Sequence, residues 1–323
     1  MTEKKIILVG CGNIGSRHLQ ALTKLNGEYL VEIIEPNNDA VSLAKSRLSK
    51  MKYEKKIQRF IWKKSIPENT KNSDLVIIAT NSKNRVMIID ELLKSGHKRF
   101  LIEKMVCQSI EEYDELLLKM KKFAAKGWVN TNRRYFNGYQ KIKEIFKDSK
   151  FLHLSVFAGN SGLGTSSIHY LDLFCWLVRD YNIKINGEFL IKKIFENKRG
   201  DDFKEFQGTL VGVNQHGLVS LTFLPLEKQE ISIQIYGDGK SIKIDELEND
   251  AHIFNQEGKN RLEFKFGHTS ELTTQIIEDI FSKNNCLLPT LEESQQIHTE
   301  LFRIFNQHIK NILNKEVKVC PIT

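Results

Sequence analysis

The stretch Lys5-Ile-Ile-Leu-Val-Gly10-Cys-Gly12-Asn-Ile-Gly15 decides the fold. Ile6 to Val9 form a short apolar run, the kind that a strand buried on both faces requires. A G-x-G-x-x-G follows at once and leads into a helical stretch from about Asn13 to Leu25, with Ile14, Leu19 and Leu22 as apolar positions. Each glycine has its own reason. Gly10 permits a tight turn, Gly12 lets the backbone approach a pyrophosphate, and Gly15 lets the helix pack on the sheet. Asn13 and Ile14 open that helix, where unpaired N–H groups face an anion. Glu35 closes the next strand, 20 residues past Gly15. An acid there accepts hydrogen bonds from adenosine ribose hydroxyls and repels a 2′-phosphate. Asn37 and Asn38 follow, with no arginine immediately beside it, so NAD is expected over NADP.

Outward from this loop, strand and helix alternate as far as residue 127. Tyr29–Glu35, a weaker run near Ile57–Trp62, Asp74–Thr80, Arg99–Glu103 and Trp128–Asn132 read as strands, and Asp39 is placed to cap a helix from Ala40 to about Lys50. Such alternation implies a doubly wound parallel sheet, because each parallel pair needs a crossover. After residue 150 the pattern becomes strand after strand: 151–158, 188–196, 206–213, 217–223, 230–236 and 241–244, with hairpin-type turns at Asn214-Gln-His-Gly217 and Gly237-Asp-Gly239. Two helices, about 269–283 and 291–313, close the chain. The expected fold is α/β: an N-terminal Rossmann domain over 1–127, and a C-terminal α+β domain over 128–323 with a large, mostly antiparallel sheet.

The chain has 323 residues, enough for two domains, with 41% hydrophobic and 27% charged residues. Only 5 Pro and 19 Gly exclude collagenous or largely disordered chains. Five scattered cysteines with no C-x-x-C pair argue against a disulfide framework and a zinc site, and no metal is expected. Lys and Arg total 48 against 40 acids, a net charge of +8, but the lysines are interleaved with acids and form no long basic block. A solvated surface is expected, with no nucleic-acid partner. No apolar run reaches the ~18–20 residues of a membrane span, and the start lacks the pattern of a signal peptide. A cytoplasmic location is the expectation.

Several segments, in order, resemble the Gfo/Idh/MocA family, the oxidoreductases named for glucose–fructose oxidoreductase, inositol dehydrogenase and rhizopine catabolism. They begin with Gly10-Cys-Gly-Asn-Ile-Gly-Ser-Arg-His18. Ala79-Thr80-Asn81 stands where the family has Ala-Thr-Pro. Ser95-Gly-His-Lys-Arg-Phe-Leu-Ile-Glu103-Lys104-Met105 is similar to its "AGKHVLCEKP" signature, with Met105 in place of Pro. Val129-Asn-Thr-Asn-Arg-Arg-Tyr135 is similar to its "NRR(F/Y)" segment, and His169-Tyr-Leu-Asp172 to its "H-x-x-D" helix. The resemblance covers essentially the full length. It implies hydride exchange between nicotinamide and a secondary alcohol or ketone of a sugar, sugar acid, inositol or nucleotide-linked sugar, and it points to surface-polysaccharide sugar metabolism. It also implies a homodimer or homotetramer, and Thr80, Asn81 and Glu103 as cofactor neighbours. One departure is Thr165, where the family often carries the carboxylate of D-x-x-x-H.

The chemistry requires a group for the developing alkoxide and one for the proton. Lys104, just past the fifth strand, is placed to polarise a carbonyl. His169 titrates near neutrality and is the candidate acid/base, with Asp172 three residues on to orient it. Thr165, Ser166 and Ser167 bring hydroxyls beside the same position, Thr165 and Ser166 as candidates for substrate hydroxyls, or all three as caps of that helix. Arg133 is a candidate for an anionic substrate group, although Arg133 and Arg134 suit interdomain ion pairs equally well. His268 is a further polar candidate, and His18 packs by the cofactor loop. Ile231, Ile233 and Ile235 alternate as an apolar strand face for an oligomer. The loss of a carboxylate at Thr165 keeps a second class open, a non-catalytic dinucleotide-binding sensor or scaffold. A methyltransferase, which shares a glycine-rich first loop, is opposed by the Glu-Lys segment.

Overall fold

The computed structural model describes residues 3–53, 58–67, 72–265, 267 and 269–323. The chain divides into two compact units. The first takes residues 1–107, 111–130 and 267–291; the second takes 108–110, 131–266 and 292–323.

In the first unit, β1 (Lys4–Val9), α1 (Gly15–Leu22), β2 (Tyr29–Ile34), α2 (Asn38–Leu48), β3 (Gln58–Lys63), β4 (Leu75–Ile78), α3 (Arg85–Lys94), β5 (Arg99–Ile102), α4 (Ile110–Lys122) and β6 (Lys126–Val129) alternate. All six strands are parallel, in the order β3-β2-β1-β4-β5-β6. Central strands β1 and β4 bury Ile6, Ile7, Leu8 and Leu75–Ile78 completely, as both faces of a parallel sheet require. Ile57 lies outside the described residues. Helix α2 is capped not by Asp39 but by Asn37, whose Oδ1 accepts the N–H groups of Asp39 and Ala40 at 2.8 and 3.0 Å. Pro36 forces the chain out of β2, so the turn falls two residues earlier.

His97 is fully buried between α3 and β5, and its Nδ1 accepts the Ser73 N–H at 3.1 Å. A ring nitrogen that accepts a backbone N–H carries no proton. Burial, with Lys5 nearby, lowers its pKa from 6.5 to about 4. Below pH 6.5 the unfolded chain takes up a proton that the folded one refuses. His97 therefore contributes stability that is whole above pH 6.5 and is lost as the pH falls towards 4. Denaturant melts at pH 7 and pH 4.5 are expected to show wild type losing on the order of 2 kcal/mol more than His97→Gln.

The second unit opens with a 3₁₀ turn (Asn132–Tyr135) and α5 (Asn137–Ile145). Strands β7 (Leu152–Gly159), β8 (Lys184–Leu190), β11 (Gly208–Asn214), β12 (Gly217–Leu224), β13 (Glu230–Gly237), β14 (Lys240–Asp245), β15 (Asp250–Asn255) and β16 (Gly258–Arg261) form one sheet. Its order is β16-β15-β14-β13-β7-β12-β11-β8, and only β7–β12 is parallel. A small ribbon pairs β9 (Phe195–Glu196) with β10 (Lys204–Glu205). Helix α6 spans Leu163–Val178. Ile233 and Ile235 are fully buried within the chain's own core, so they are not an open oligomer face as alternation alone implied. The opposite face carries His153, Ser155, Phe157, Val211, Val213 and Tyr236, half-buried or exposed.

The last two helices, α7 (Thr269–Lys283) and α8 (Leu291–Leu313), divide between the units. α7 packs on α1 of the first unit. Thr274 donates to the Ala21 carbonyl at 3.0 Å, and Phe281 stacks on Tyr29 with centroids 6.1 Å apart. A single cut near residue 127 therefore does not describe the compact units. Among the described residues no helix is long and apolar enough to cross a membrane.

Candidate functional site

The carboxyl ends of β1, β4 and β5 bring one set of candidate residues together in the first unit. Gly10 has φ +83°, and a Cβ there would lie 2.8 Å from Thr80 N. A Cβ on Gly15 would stand 2.0 Å from the Gly10 carbonyl oxygen, so α1 starts hard against the turn. Gly12 differs: a Cβ there meets no atom within 4 Å. Two glycines are fixed by contact and the third faces open space, which is what a pyrophosphate on this loop needs. The residues present therefore fit a dinucleotide. Asn13 and Ile14 are exposed on the same turn, and Thr80 and Asn81 close β4 beside it.

Glu35 is nearly buried. Its Oε2 accepts the Cys11 N–H at 2.6 Å and its Oε1 accepts the Asn37 N–H at 2.9 Å. The carboxylate thus braces the glycine turn, and its remaining lone pairs are left for ribose hydroxyls. Burial, with the Glu35 charge, pushes the Cys11 thiol up to about 12, so this cysteine stays protonated and inert.

Lys104 is buried just past β5. Its neighbour Glu103 is held from two sides. Its Oε1 lies 2.9 Å from His18 Nε2 and also accepts from the Asn130 amide. The other ring nitrogen of His18 lies 2.9 Å from Thr273 Oγ1, so α7 completes the set. Burial alone would raise the Glu103 carboxyl, but the hydrogen bonds and charge of His18 with the Asn130 amide outweigh it and hold it below the usual range. Glu103 is therefore a locked anion that fixes the chain on which Lys104 sits. Arg85 adds to this. Its guanidinium donates to the carbonyls of Thr80, Glu103 and Met105 and ties the ends of β4 and β5 together.

The second unit carries the other set on α6. Thr165, Ser166 and His169 are half-buried and share one helix face, whereas Asp172 is fully buried. Asp172 does not meet the expectation that it orients His169. Its oxygens accept from Arg134 Nε at 2.9 Å, Arg134 Nη2 at 2.5 Å and Thr131 Oγ1 at 2.8 Å. Arg133 is also engaged: it forms a forked pair with Glu246 at 3.2 and 3.1 Å and donates to Tyr170 Oη at 2.7 Å. Both arginines lie in ion pairs inside this unit. His268 lies outside the described residues.

Glu205, which sequence reasoning missed, stands beside Thr165. Its Oε2 accepts the Thr165 hydroxyl at 2.6 Å. Its Oε1 accepts the N–H groups of Gly164, Thr165 (3.3 Å) and Phe206 (3.0 Å). Glycines make the seat: a Cβ on Gly162 would lie 1.9 Å from Glu205 Cδ, and one on Gly164 would lie 2.7 Å from its Oε1. The α6 N-terminus has no side-chain cap of its own, so this carboxylate supplies it from β10. Burial raises the Glu205 carboxyl above its ordinary value, and the bonds from Thr165, Phe206 and Gly164 offset only part of that. Glu205 and Thr165 line a cavity of about 450 Å³ with Asn160, Phe195, Asn197 and Gln207. The pair of glycines at the start of a helix was the signal available in the sequence.

Residues 4–131 match the model of an oxidoreductase family with an NAD-binding Rossmann fold, the Gfo/Idh/MocA family. A search of curated protein sequences gives no match. Among solved structures, the chain is similar to an Agrobacterium radiobacter oxidoreductase in complex with NAD+, L-tartaric acid and magnesium (13% identity, 93% of this chain and 94% of that one, TM-score 0.72). It is similar to a UDP-N-acetylglucosamine 3-dehydrogenase from Acidithiobacillus ferrooxidans (14%, 97% and 100%, TM-score 0.68). A Synechocystis biliverdin reductase with biliverdin and NADP+ is a third (11%, 93% and 97%, TM-score 0.69). At these identities the likeness is one of fold.

Proposed function

We propose that the chain, whose residues 4–131 match the model of the Gfo/Idh/MocA family of NAD-binding oxidoreductases, acts as a member of that family and oxidises or reduces one secondary alcohol or ketone carbon of a sugar, sugar acid, inositol or nucleotide-linked sugar. The observation that carries the proposal is the Glu205 carboxylate bonded to Thr165, one helical turn before His169. The family's D-x-x-x-H pattern places its own carboxylate at that turn. Here a residue on β10 supplies a carboxylate at that turn, which supports the catalytic reading over a sensor or scaffold without chemistry.

Nicotinamide, when bound, supplies the hydride exchange. Gly10, Gly12 and Gly15 shape the loop for the pyrophosphate, and Glu35 accepts the ribose hydroxyls. The Lys104 ammonium stabilises negative charge growing on the substrate oxygen. His169 takes the hydroxyl proton at a ring nitrogen, or returns it. Glu205 fixes the Thr165 hydroxyl, and Ser166 offers a further contact for a polyol.

The test is NAD+ reduction, followed at 340 nm, against sugars, sugar acids, inositols and nucleotide-linked sugars. Turnover with one of these and none with simple alcohols is expected; NADH binding without turnover on any of them would favour the sensor reading. NADH is expected to bind more tightly than NADPH in calorimetry, because Glu35 repels a 2′-phosphate, and a clear NADPH preference would sink that role. We propose a homodimer or homotetramer built on the open sheet face around Phe157, Val211 and Tyr236. Light scattering that shows only monomer at micromolar concentration would oppose it.

A further inference from the structure

The glycine turn has a charged neighbour that no motif announces. Arg47 lies in the last turn of α2, 34 residues from Asn13. Its Nη1 donates to the Asn13 carbonyl at 2.9 Å and to Ser16 Oγ at 2.6 Å, and its Nη2 donates to Asn13 Oδ1 at 3.2 Å. All three acceptors are neutral. Among the described residues no carboxylate forms an ion pair with Arg47. Of its five N–H donors, one on Nη2 and that of Nε take no part in these bonds. The guanidinium is half-buried against the turn that opens at Gly12.

A brace needs no charge, since an amide or hydroxyl can hold a carbonyl. A full cation held against neutral oxygens keeps its field, and that field covers the turn that must receive a phosphate. α1 is short, eight residues, so its own dipole is a modest attraction for an anion. Glu35 flanks the same turn and bonds to Cys11, so the loop lies between a carboxylate suited to ribose hydroxyls and a cation suited to phosphate.

We propose that Arg47 is the charged contact to a phosphate of the dinucleotide on its adenosine side. The inference rests on the dinucleotide reading of the loop and adds a residue to it. Two phosphates present this chemistry, the diphosphate common to both cofactors and the 2′-phosphate of NADP(H).

The experiment is calorimetric titration of wild type, Arg47→Met and Arg47→Lys with NADH and with NADPH, each at low and at high salt, with thermal melts to show that the variants are folded. Arg47→Met is expected to weaken NADH binding about ten-fold at low salt and to flatten its salt dependence, with Arg47→Lys keeping most of both. An equal loss for the two cofactors assigns the diphosphate; a loss confined to NADPH, or ten-fold larger for it, assigns the 2′-phosphate. Unchanged affinity for both cofactors in Arg47→Met overturns the proposal. So does a loss whose salt dependence equals that of wild type, which would make Arg47 a brace of the turn and nothing more. Failure of the wild type to bind either cofactor would be a different result, overturning the dinucleotide reading itself.

Discussion

Lys104→Met and His169→Ala are each expected to lower turnover about 10²–10⁴-fold on the substrate found by NAD+ reduction, with NADH affinity within about two-fold of wild type. Lys104→Met removes the cation and keeps the length of the side chain. Lys104 is buried, so an apolar replacement fits, and its backbone stays fixed by Glu103 and Arg85. The alkoxide then develops without a partner. His169→Ala removes the group that holds the proton, and α6 tolerates alanine at a half-buried position. The proposed cofactor contacts lie elsewhere, in the turn from Gly10 to Gly15 and at Glu35. Steady-state kinetics together with NADH calorimetry separate the two effects. Wild-type turnover in both variants would show that the proposed groups are the wrong ones.

The second large effect is expected at Thr165, and it runs in opposite directions in two backgrounds. Thr165→Asp alone sets a second carboxylate where a hydroxyl now donates to Glu205 Oε2 at 2.6 Å. Two anions that close cannot both stay ionised, so one must hold a proton. Burial already favours the protonated form of Glu205. The variant should therefore lose about 1–3 kcal/mol of stability at pH 8, with the loss shrinking as the pH falls and the shared proton binds. Its turnover should fall with it. Glu205→Gln should fold, because its amide oxygen still accepts the N–H groups of Gly164 and Phe206 while the amide nitrogen turns to Thr165. Its turnover should drop about 10–100-fold for want of the negative charge. The double variant Thr165→Asp with Glu205→Gln moves the carboxylate onto the helix and should recover most of that loss. Full turnover in Glu205→Gln would reduce the residue to a helix cap.

The features legible in the sequence were those written in contiguous residues. Ile6–Val9, the three glycines and Glu35 lie within one strand–helix–strand passage, and each has a local steric or polar reason for its identity. Lys104 was marked by its place after an apolar strand. The features that were missed depend on partners far along the chain. Glu205 reaches Thr165 across 40 positions, and Arg47 reaches Asn13 across 34. Neither leaves a periodicity, and Arg47 is one among 48 basic residues. Asp172 was assigned to His169 from helical spacing, but Arg134 offers a forked, charged donor, and the carboxylate takes that instead. Strand β16 escaped notice because Gly258–Arg261 is polar and wholly exposed, as an edge strand is, and lacks the alternation that marks a half-buried one.

The placement of α7 bears on how the polypeptide is made. α1 buries Leu19 and Leu22, and the surface that covers it on the α7 side, with the Thr273 and Thr274 contacts, belongs to residues beyond 268. A ribosome adding about 5–20 residues per second takes roughly 10–30 s to travel from β6 to the end of α7. Throughout that interval the emerging nucleotide-binding unit has its parallel sheet but lacks one covering helix, and its apolar flank is open to chaperones, to proteases and to other nascent chains. Expression of residues 1–127 alone would make that interval permanent. A soluble fragment would need α7 restored, either by a linker joining residue 130 to residue 267 or by co-expression of the helix as a separate peptide.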